Sequence, residues 1–121
     1  MNNKYKAVEG LLYSYNTISY KRRNLDIDIK LTGSEEKKQE LEMLELTAEK
    51  IDNMLAMLKQ MDETDYLIIK SRYIDGLSWD RIESIVHISV CQLIARRKKI
   101  LINVLLPMLK YKDHNQTITM Q

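Results

Sequence analysis

The sequence of 121 residues lacks phenylalanine and contains one cysteine, one proline and three glycines. A single cysteine excludes an intramolecular disulfide and a cysteine-rich zinc site. β-Sandwiches and barrels contain many tight turns, which need more glycine and proline than this chain has. The two histidines, His87 and His114, are too far apart to form a metal-ligand motif. We therefore expect an all-α protein with no metal and no cofactor.

Long apolar runs are also missing from the sequence. None reaches the roughly 18 residues that a membrane span requires. The first ten residues are polar and do not resemble a signal peptide. Hydrophobic residues make up 45% of the chain and charged residues 30%, which is typical of a chain that buries a core. These features predict a cytoplasmic protein that does not bind a membrane.

Charge of one sign is concentrated in particular segments, although the net charge is only +2. Residues 1–31 carry a net charge of +3, and residues 34–65 carry −6. Residues 87–112 contain six basic and no acidic side chains. A basic segment of this kind suits a phosphate backbone, although it also fits a solvated helix face.

Two apolar stripes with steps of three and four residues precede residue 62, as in a coiled coil. The first contains Val8, Leu11, Tyr15, Ile18, Leu25 and Ile29, and the second contains Leu41, Leu44, Ala48, Ile51, Leu55 and Leu58, widened by Met54, Met57 and Met61. Gly33 separates the stripes, and Ser34 is the expected N-cap of the second helix. We therefore predict an antiparallel helical hairpin over residues 1–61, which serves as an arm for oligomerisation or partner contact.

Residues 62–111 have the pattern of several short helices. We expect Thr64 to cap the first of them and Asp75-Gly76 to end it. Ser78 and Ser89 are the expected N-caps of the next two helices. The apolar residues expected inside are Ile82, Ile85, Val86, Leu93 and Ile100. Two short helices joined by a brief turn form a helix-turn-helix, whose second helix enters the DNA major groove.

The segment from Ile100 to Leu106 is apolar on nearly every side. Such a helix must be covered all round, so we expect it to pack against the N-terminal hairpin or a second chain. Pro107 is expected to end or kink this helix. The polar residues 112–121 are expected to form a flexible tail.

The segment LSWDRIESIVHISVCQLIARRKKIL, residues 77–101, resembles the helix-turn-helix of region 4 of bacterial sigma factors. The positions that fit the family pattern are Leu77, Ser78, Trp79, Asp80, Ile82, Ile85, Ile88, Ser89, Leu93 and Arg96. The departures are Glu83, His87, Gln92 and Arg97. We expect His87 to tolerate the positive φ of the turn, and Glu83 to pair with Arg96 or Arg97.

The whole layout resembles the small ArpU/RinA-type regulators of phages and prophages in Gram-positive bacteria. This resemblance implies a cytoplasmic protein of a bacterial host cell that activates late or packaging-gene transcription. The implied partners are double-stranded DNA and RNA polymerase, and we expect a homodimer. A segment resembling sigma region 2 is not recognisable, so a self-sufficient sigma factor is not expected.

The predicted DNA contacts lie on two helices. A helical wheel with Leu93 turned inward directs a set of side chains toward the groove and phosphates. This set consists of Ser89, Val90, Cys91, Gln92, Ala95, Arg96, Lys98 and Lys99. The start of the preceding helix, with Ser78, Trp79 and Arg81, is expected at the DNA backbone. Arg96 contacts phosphate only if no acidic side chain holds it, and Arg97 faces inward as a structural ion pair.

Two alternatives to a transcription regulator stay open. A DNA-recognition subunit of a phage packaging machine, similar to a small terminase, also combines a helix-turn-helix with helical oligomerisation segments. An adaptor that binds RNA polymerase without reading DNA is the other. An enzyme is not expected, because the sequence has no phosphate-binding glycine loop and no nucleophile–base constellation.

Overall fold

The computed structural model describes residues 5–109, and every element in this range is helical. Helix α1 covers Tyr5–Thr32, α2 covers Glu35–Met61, and α3 covers Glu63–Ile69. α3 continues into a π-helical turn, Lys70–Ile74. α4 then covers Trp79–Val86, and α5 covers Val90–Ile100 and passes into a second π-helical turn, Leu101–Leu105. The predicted all-α class is therefore confirmed. The predicted tail 112–121 lies outside the described residues.

The turn between α1 and α2 has the features predicted at Gly33 and Ser34. Gly33 adopts φ +68°, which a residue without Cβ reaches at no steric cost. The Ser34 side chain accepts a hydrogen bond from the Lys37 amide at 3.3 Å and caps α2. Lys37 also pairs with Asp28 at 3.2 Å, which joins the two helices beside the turn.

α1 and α2 lie side by side and run in opposite directions, since Tyr15 donates a hydrogen bond to Asp52 far from the turn. This hydrogen bond raises the pKa of Tyr15 above its usual range, and burial of the hydroxyl raises it further. The buried residues of the two helices are Val8, Leu12, Ile18, Leu25, Ala48, Ile51, Met54, Leu55 and Leu58.

Two details of the predicted stripes are wrong. Leu12 is fully buried, whereas Leu11, the expected position, is only half-buried. Met57 and Met61 do not widen the core of α2, because both side chains are exposed to solvent. The third methionine predicted to widen this stripe, Met54, is buried as expected.

Asp62, and not Thr64, caps α3. Its backbone is extended, and its carboxylate accepts a hydrogen bond from the Asp65 amide at 3.1 Å. The Asp62 amide donates to Leu58, so a single residue ends α2 and begins α3. The predicted stop at Asp75-Gly76 is confirmed, with Gly76 at φ +69° and the Leu77 amide bonded to the Ser71 carbonyl.

α4 and α5 are joined by three residues, 87–89, and both predicted N-caps are confirmed. Ser78 accepts a hydrogen bond from the Arg81 amide at 3.2 Å, and Ser89 accepts one from the Gln92 amide at 3.3 Å. His87 adopts φ 61°, and its amide bonds to the Glu83 carbonyl. This is the left-handed conformation expected at that turn.

A small core holds these helices against α3 through Ile68, Ile82 and Leu93, all fully buried. Val86 is half-buried beside it. Ile85 was predicted inside but is 48% exposed, because only one face of the eight-residue α4 packs against its neighbours.

The apolar segment after α5 packs against the first two helices, as predicted. Leu101 and Leu105 are fully buried in the main hydrophobic cluster, together with Val8 and Ile51. The π-helical turn ends two residues before Pro107, which has no amide hydrogen to donate. The helix nevertheless continues over 106–109, so Pro107 does not end it. The main core therefore spans the predicted domain boundary after residue 61.

Candidate nucleic-acid interface

α5 has one buried face and one exposed face. Leu93 and Ile100 are buried, which confirms the inward face of the predicted wheel. The exposed residues of the predicted DNA-contact set are Ser89, Cys91, Gln92, Ala95, Lys98 and Lys99, and Val90 is half-buried. Because an α-helix turns by about 100° per residue, Cys91, Gln92, Ala95, Lys98 and Lys99 lie on one side of α5. These predicted contact residues therefore share one solvent-facing surface.

The first turn of α5 is well ordered by its own cap. The Ser89 side chain takes up one of the amides that no helical carbonyl can reach. The backbone amide of Gln92 donates to Ser89. The carboxamide at the end of the Gln92 side chain is exposed and forms no hydrogen bond with residues 5–109. The positive end of the helix dipole also lies at this tip. A glutamine here is able to present both a donor and an acceptor to a base edge.

Arg96 is held by acidic side chains at the start of α3. Its Nε lies 2.6 Å from Asp65 Oδ1, and its Nη2 lies 3.5 Å from Asp62 Oδ2. The condition under which Arg96 was expected to contact phosphate is therefore not met in this structure. The expected pairing of Glu83 with Arg96 or Arg97 is wrong, because both arginines pair with other carboxylates.

Arg97 forms a structural ion pair, as predicted, and its partner is Glu9 on α1. The Arg97 Nη1 lies 2.9 Å from Glu9 Oε2, and the Tyr73 hydroxyl donates to the same carboxylate oxygen. Burial raises the pKa of Tyr73, and the hydrogen bond to Glu9 raises it further. Burial alone would lower the pKa of Arg97, but its contacts with Tyr73 and Glu9 raise it overall. This cluster fixes the orientation of α5 against α1.

Lys98 and Lys99 are the basic side chains of α5 without an acidic partner among residues 5–109. The Lys98 ammonium lies 5.9 Å from the centre of the Tyr5 ring, a cation–π distance. Lys99 is exposed and has no contact of this kind in the described part of the chain. Both ammonium groups are accessible to an anion, and Lys99 is the less constrained.

Trp79 is half-buried at the beginning of α4. The Arg72 guanidinium lies 4.7 Å from the centre of its ring, and the Arg97 guanidinium lies 5.8 Å from it. Arg72 also donates a hydrogen bond to the Leu77 carbonyl at 3.1 Å. Trp79 is therefore engaged by two arginine side chains of the protein itself and is only partly exposed. Ser78 and Arg81 flank it, and both are exposed at the first turn of that helix.

Several residues that build this surface could not be identified from local patterns. The sequence analysis did not identify Asp62 and Asp65 as the side chains that hold Arg96. The only hint was the position of acidic residues before α3 and basic residues in α5. Glu9 gave no signal, because its partners Tyr73 and Arg97 lie far away in the sequence. Arg72 gave none either, although its partners Leu77 and Trp79 are only a few residues away.

Other kinds of site are not seen in the part of the chain that the structure describes. Among residues 5–109, no group of three or more histidine, cysteine, aspartate or glutamate side chains could hold a metal ion. No helix in that range is long and apolar enough to cross a membrane. Comparison of the chain with protein-family models, with curated proteins and with solved structures gave no match.

Proposed function

We propose that this protein is a sequence-specific DNA-binding transcription regulator, with α4 and α5 as its helix-turn-helix. One observation carries the proposal. The exposed face of α5 contains polar and basic side chains without an acidic partner among residues 5–109, while Leu93 and two ion pairs fix the opposite side. A helix that is rigidly held yet presents such a face suits insertion into the major groove.

The first two turns of α5 supply the base contacts in this proposal. Gln92 pairs with an adenine edge, for which its donor and acceptor are complementary. Val90 and Ala95 contact thymine methyl groups, and Cys91 lies beside them on the exposed side. α5 has 11 residues, so it is about 16 Å long, which is enough to reach several base pairs.

Phosphate contacts come from both helices. Lys98 and Lys99 lie one to two turns beyond the base-contacting residues, where the helix leaves the groove. Arg81 and the amides at the Ser78 cap contact the backbone from α4. Arg96 and Trp79 belong to the supporting structure in this assignment, since their side chains are engaged with α3, Arg72 and Arg97.

The biological context follows from the resemblances of the sequence. A sigma region 4-like helix-turn-helix and an ArpU/RinA-type layout favour a phage or prophage regulator that activates transcription in the bacterial cytoplasm. The α1–α2 pair is then a helical arm that contacts another copy of the chain or RNA polymerase. Packaging-type DNA recognition and a polymerase adaptor stay as outcomes that the experiment distinguishes.

A selection from a random pool of DNA duplexes tests the proposal. The wild-type chain is compared with Gln92→Ala/Lys99→Ala. The matched control is Gln60→Ala/Lys21→Ala, which removes the same two residue types from exposed positions on α1 and α2. We expect one enriched motif with the wild type and the control, and its loss with the α5 variant.

Each other outcome has a defined meaning. Equal binding of all duplexes with a steep salt dependence would favour a packaging role over sequence readout. The absence of binding at low salt would contradict the proposal and favour the polymerase adaptor. An enriched motif that is unchanged in the α5 variant would show that another surface reads the DNA.

A further inference from the structure

The helices α1 and α2 have exposed apolar side chains near the turn that joins them. We call Tyr20, Ile27 and Leu31 the outer stripe of α1, and Met43 and Leu46 the outer stripe of α2. Each of these side chains is 56–78% exposed. The hydrogen bonds and ion pairs found for residues 18–48 lie within or between these two helices. This part of the molecule therefore has apolar surface that α3–α5 do not cover.

The outer stripe of each helix is turned away from the other helix. Ile18 is buried, and Tyr20 follows two residues later, a rotation of about 200° around the helix axis. Leu46 precedes the buried Ala48 by the same step. Seven residues after Ile18 and Tyr20, Leu25 is again buried and Ile27 is again exposed. A seven-residue repeat of this kind is typical of a coiled-coil helix that has a second seam. Repeated apolar side chains on a solvent-facing seam indicate an interaction surface.

Charged side chains of opposite sign border the two stripes. Arg23 and Lys30 lie beside the stripe of α1 and are seven residues apart. Glu42 and Glu49 lie beside the stripe of α2 with the same spacing, and all four side chains are exposed. Lys30 has a surface ion pair with Asp26 at 3.2 Å, and no acidic partner of Arg23 is found among residues 5–109.

We propose that the outer stripe of α1 packs against the outer stripe of α2 in a second copy of this chain, with the two helices antiparallel. The equal spacing brings Arg23 opposite the partner's Glu49 and Lys30 opposite the partner's Glu42. The same alignment places Ile27 at the level of the partner's Met43 and Leu46. Pairing α1 with α1, or α2 with α2, would instead bring like charges together.

This contact is heterologous, because it joins two different surfaces. A pair of copies leaves one outer stripe of α1 and one of α2 uncovered, so further copies add head to tail. The assembly closes into a ring if the rotation between copies allows it, and otherwise extends. The expected homodimer is then its first step. The proposal does not depend on DNA binding, because neither stripe involves α4 or α5.

Sedimentation velocity of the full chain at low salt, over a range of concentrations, tests the proposed pairing. We expect Arg23→Glu/Lys30→Glu to weaken self-association at least about tenfold, and Glu42→Lys/Glu49→Lys to do the same. An equimolar mixture of the two variants should restore association, because each mixed contact again joins opposite charges. Ile27→Ser should weaken association without any change of charge.

Lys6→Glu/Lys38→Glu is the matched control, since it changes the charge equally at exposed positions outside both stripes. Far-UV circular dichroism and thermal melts establish that all variants fold. A wild-type chain whose self-association is weaker than a Kd of about 1 mM would overturn the proposal and leave the stripes to a different protein. Association that both charge variants retain, or that the mixture fails to restore, would also overturn it.

Discussion

Replacing Arg96 with glutamine tests whether this side chain holds α5 to α3 or contacts DNA. In the structure its guanidinium is 2.6 Å from Asp65 and 3.5 Å from Asp62. Glutamine removes the charge while it keeps much of the aliphatic stem. We therefore expect a loss of folding stability with little direct loss of DNA affinity.

The magnitude follows from the exposure of the two groups. The Arg96 side chain is 35% exposed and that of Asp65 is 18% exposed, so the pair is neither a surface pair nor a buried one. Surface ion pairs contribute about 0.2–1 kcal/mol, and hydrogen bonds to charged groups contribute about 1.5–3 kcal/mol. After allowance for solvent screening, we expect Arg96→Gln to cost roughly 1–2 kcal/mol of unfolding free energy. Each kcal/mol lowers the Tm by about 4–6 °C in a chain of this size.

Two assays separate the structural role from the DNA-binding role. A double-mutant cycle of Arg96→Gln and Asp65→Asn, measured by urea unfolding, should give a coupling energy of about 1 kcal/mol. DNA affinity measured against salt should keep its slope in Arg96→Gln, whereas Lys99→Ala should reduce the slope by about 0.9 through the loss of one phosphate contact. An unchanged stability together with a reduced slope in Arg96→Gln would refute this reasoning.

Three further predictions follow from the described contacts. Burial and the hydrogen bond to Glu9 raise the pKa of Tyr73, so its contribution to stability is complete below the unfolded value of about 10 and is lost as the pH rises above it. Urea unfolding between pH 9 and pH 11 should therefore show a decline that is smaller in Tyr73→Phe, and equal declines would contradict the assignment. His87→Gly should stabilise the fold by roughly 0.5–1 kcal/mol, because glycine adopts φ 61° without the Cβ clash; a less stable variant would show that the imidazole has a role of its own. Leu93→Ala should cost about 2–5 kcal/mol, since it removes buried methyl groups from the small core, and a thermal shift below about 4 °C would argue against that packing.

Local signals in the sequence were sufficient to place most helix ends. Ser34, Ser78 and Ser89 were predicted as caps because a short hydroxyl side chain before an apolar run satisfies a nearby amide. The position of His87 in the left-handed region was also predictable, since few other residues tolerate it. Asp62 was missed because Thr64, two residues later, is an equally plausible cap on local grounds. The choice between Asp62 and Thr64 as the cap of α3 depended on the residue at which α2 ends.

Contacts between distant residues were beyond the reach of the sequence patterns. Arg97 was expected to form an ion pair, but its partner Glu9 lies 88 positions earlier. Helical periodicity tolerates a shift of one residue, so it could not choose between Leu11 and Leu12 without the direction of the neighbouring helix. The exposure of Ile85 could not be predicted either. How much of α4 its neighbouring helices cover depends on the whole fold and not on the sequence of α4.

The position of α5 depends on α1 as well as on its neighbours α3 and α4. Arg97 links α5 to Glu9, and the π-helical turn after α5 buries Leu101 and Leu105 among residues of α1 and α2. Without residues 1–61, the remaining helices would keep the small core around Ile68, Ile82 and Leu93, and the apolar segment after α5 would lose its cover. Such a core is too small to stabilise an independent domain of about 50 residues. The α1–α2 pair therefore has a structural role in addition to the contact proposed for its outer stripes, because the ion pair between Glu9 and Arg97 holds α5 against α1.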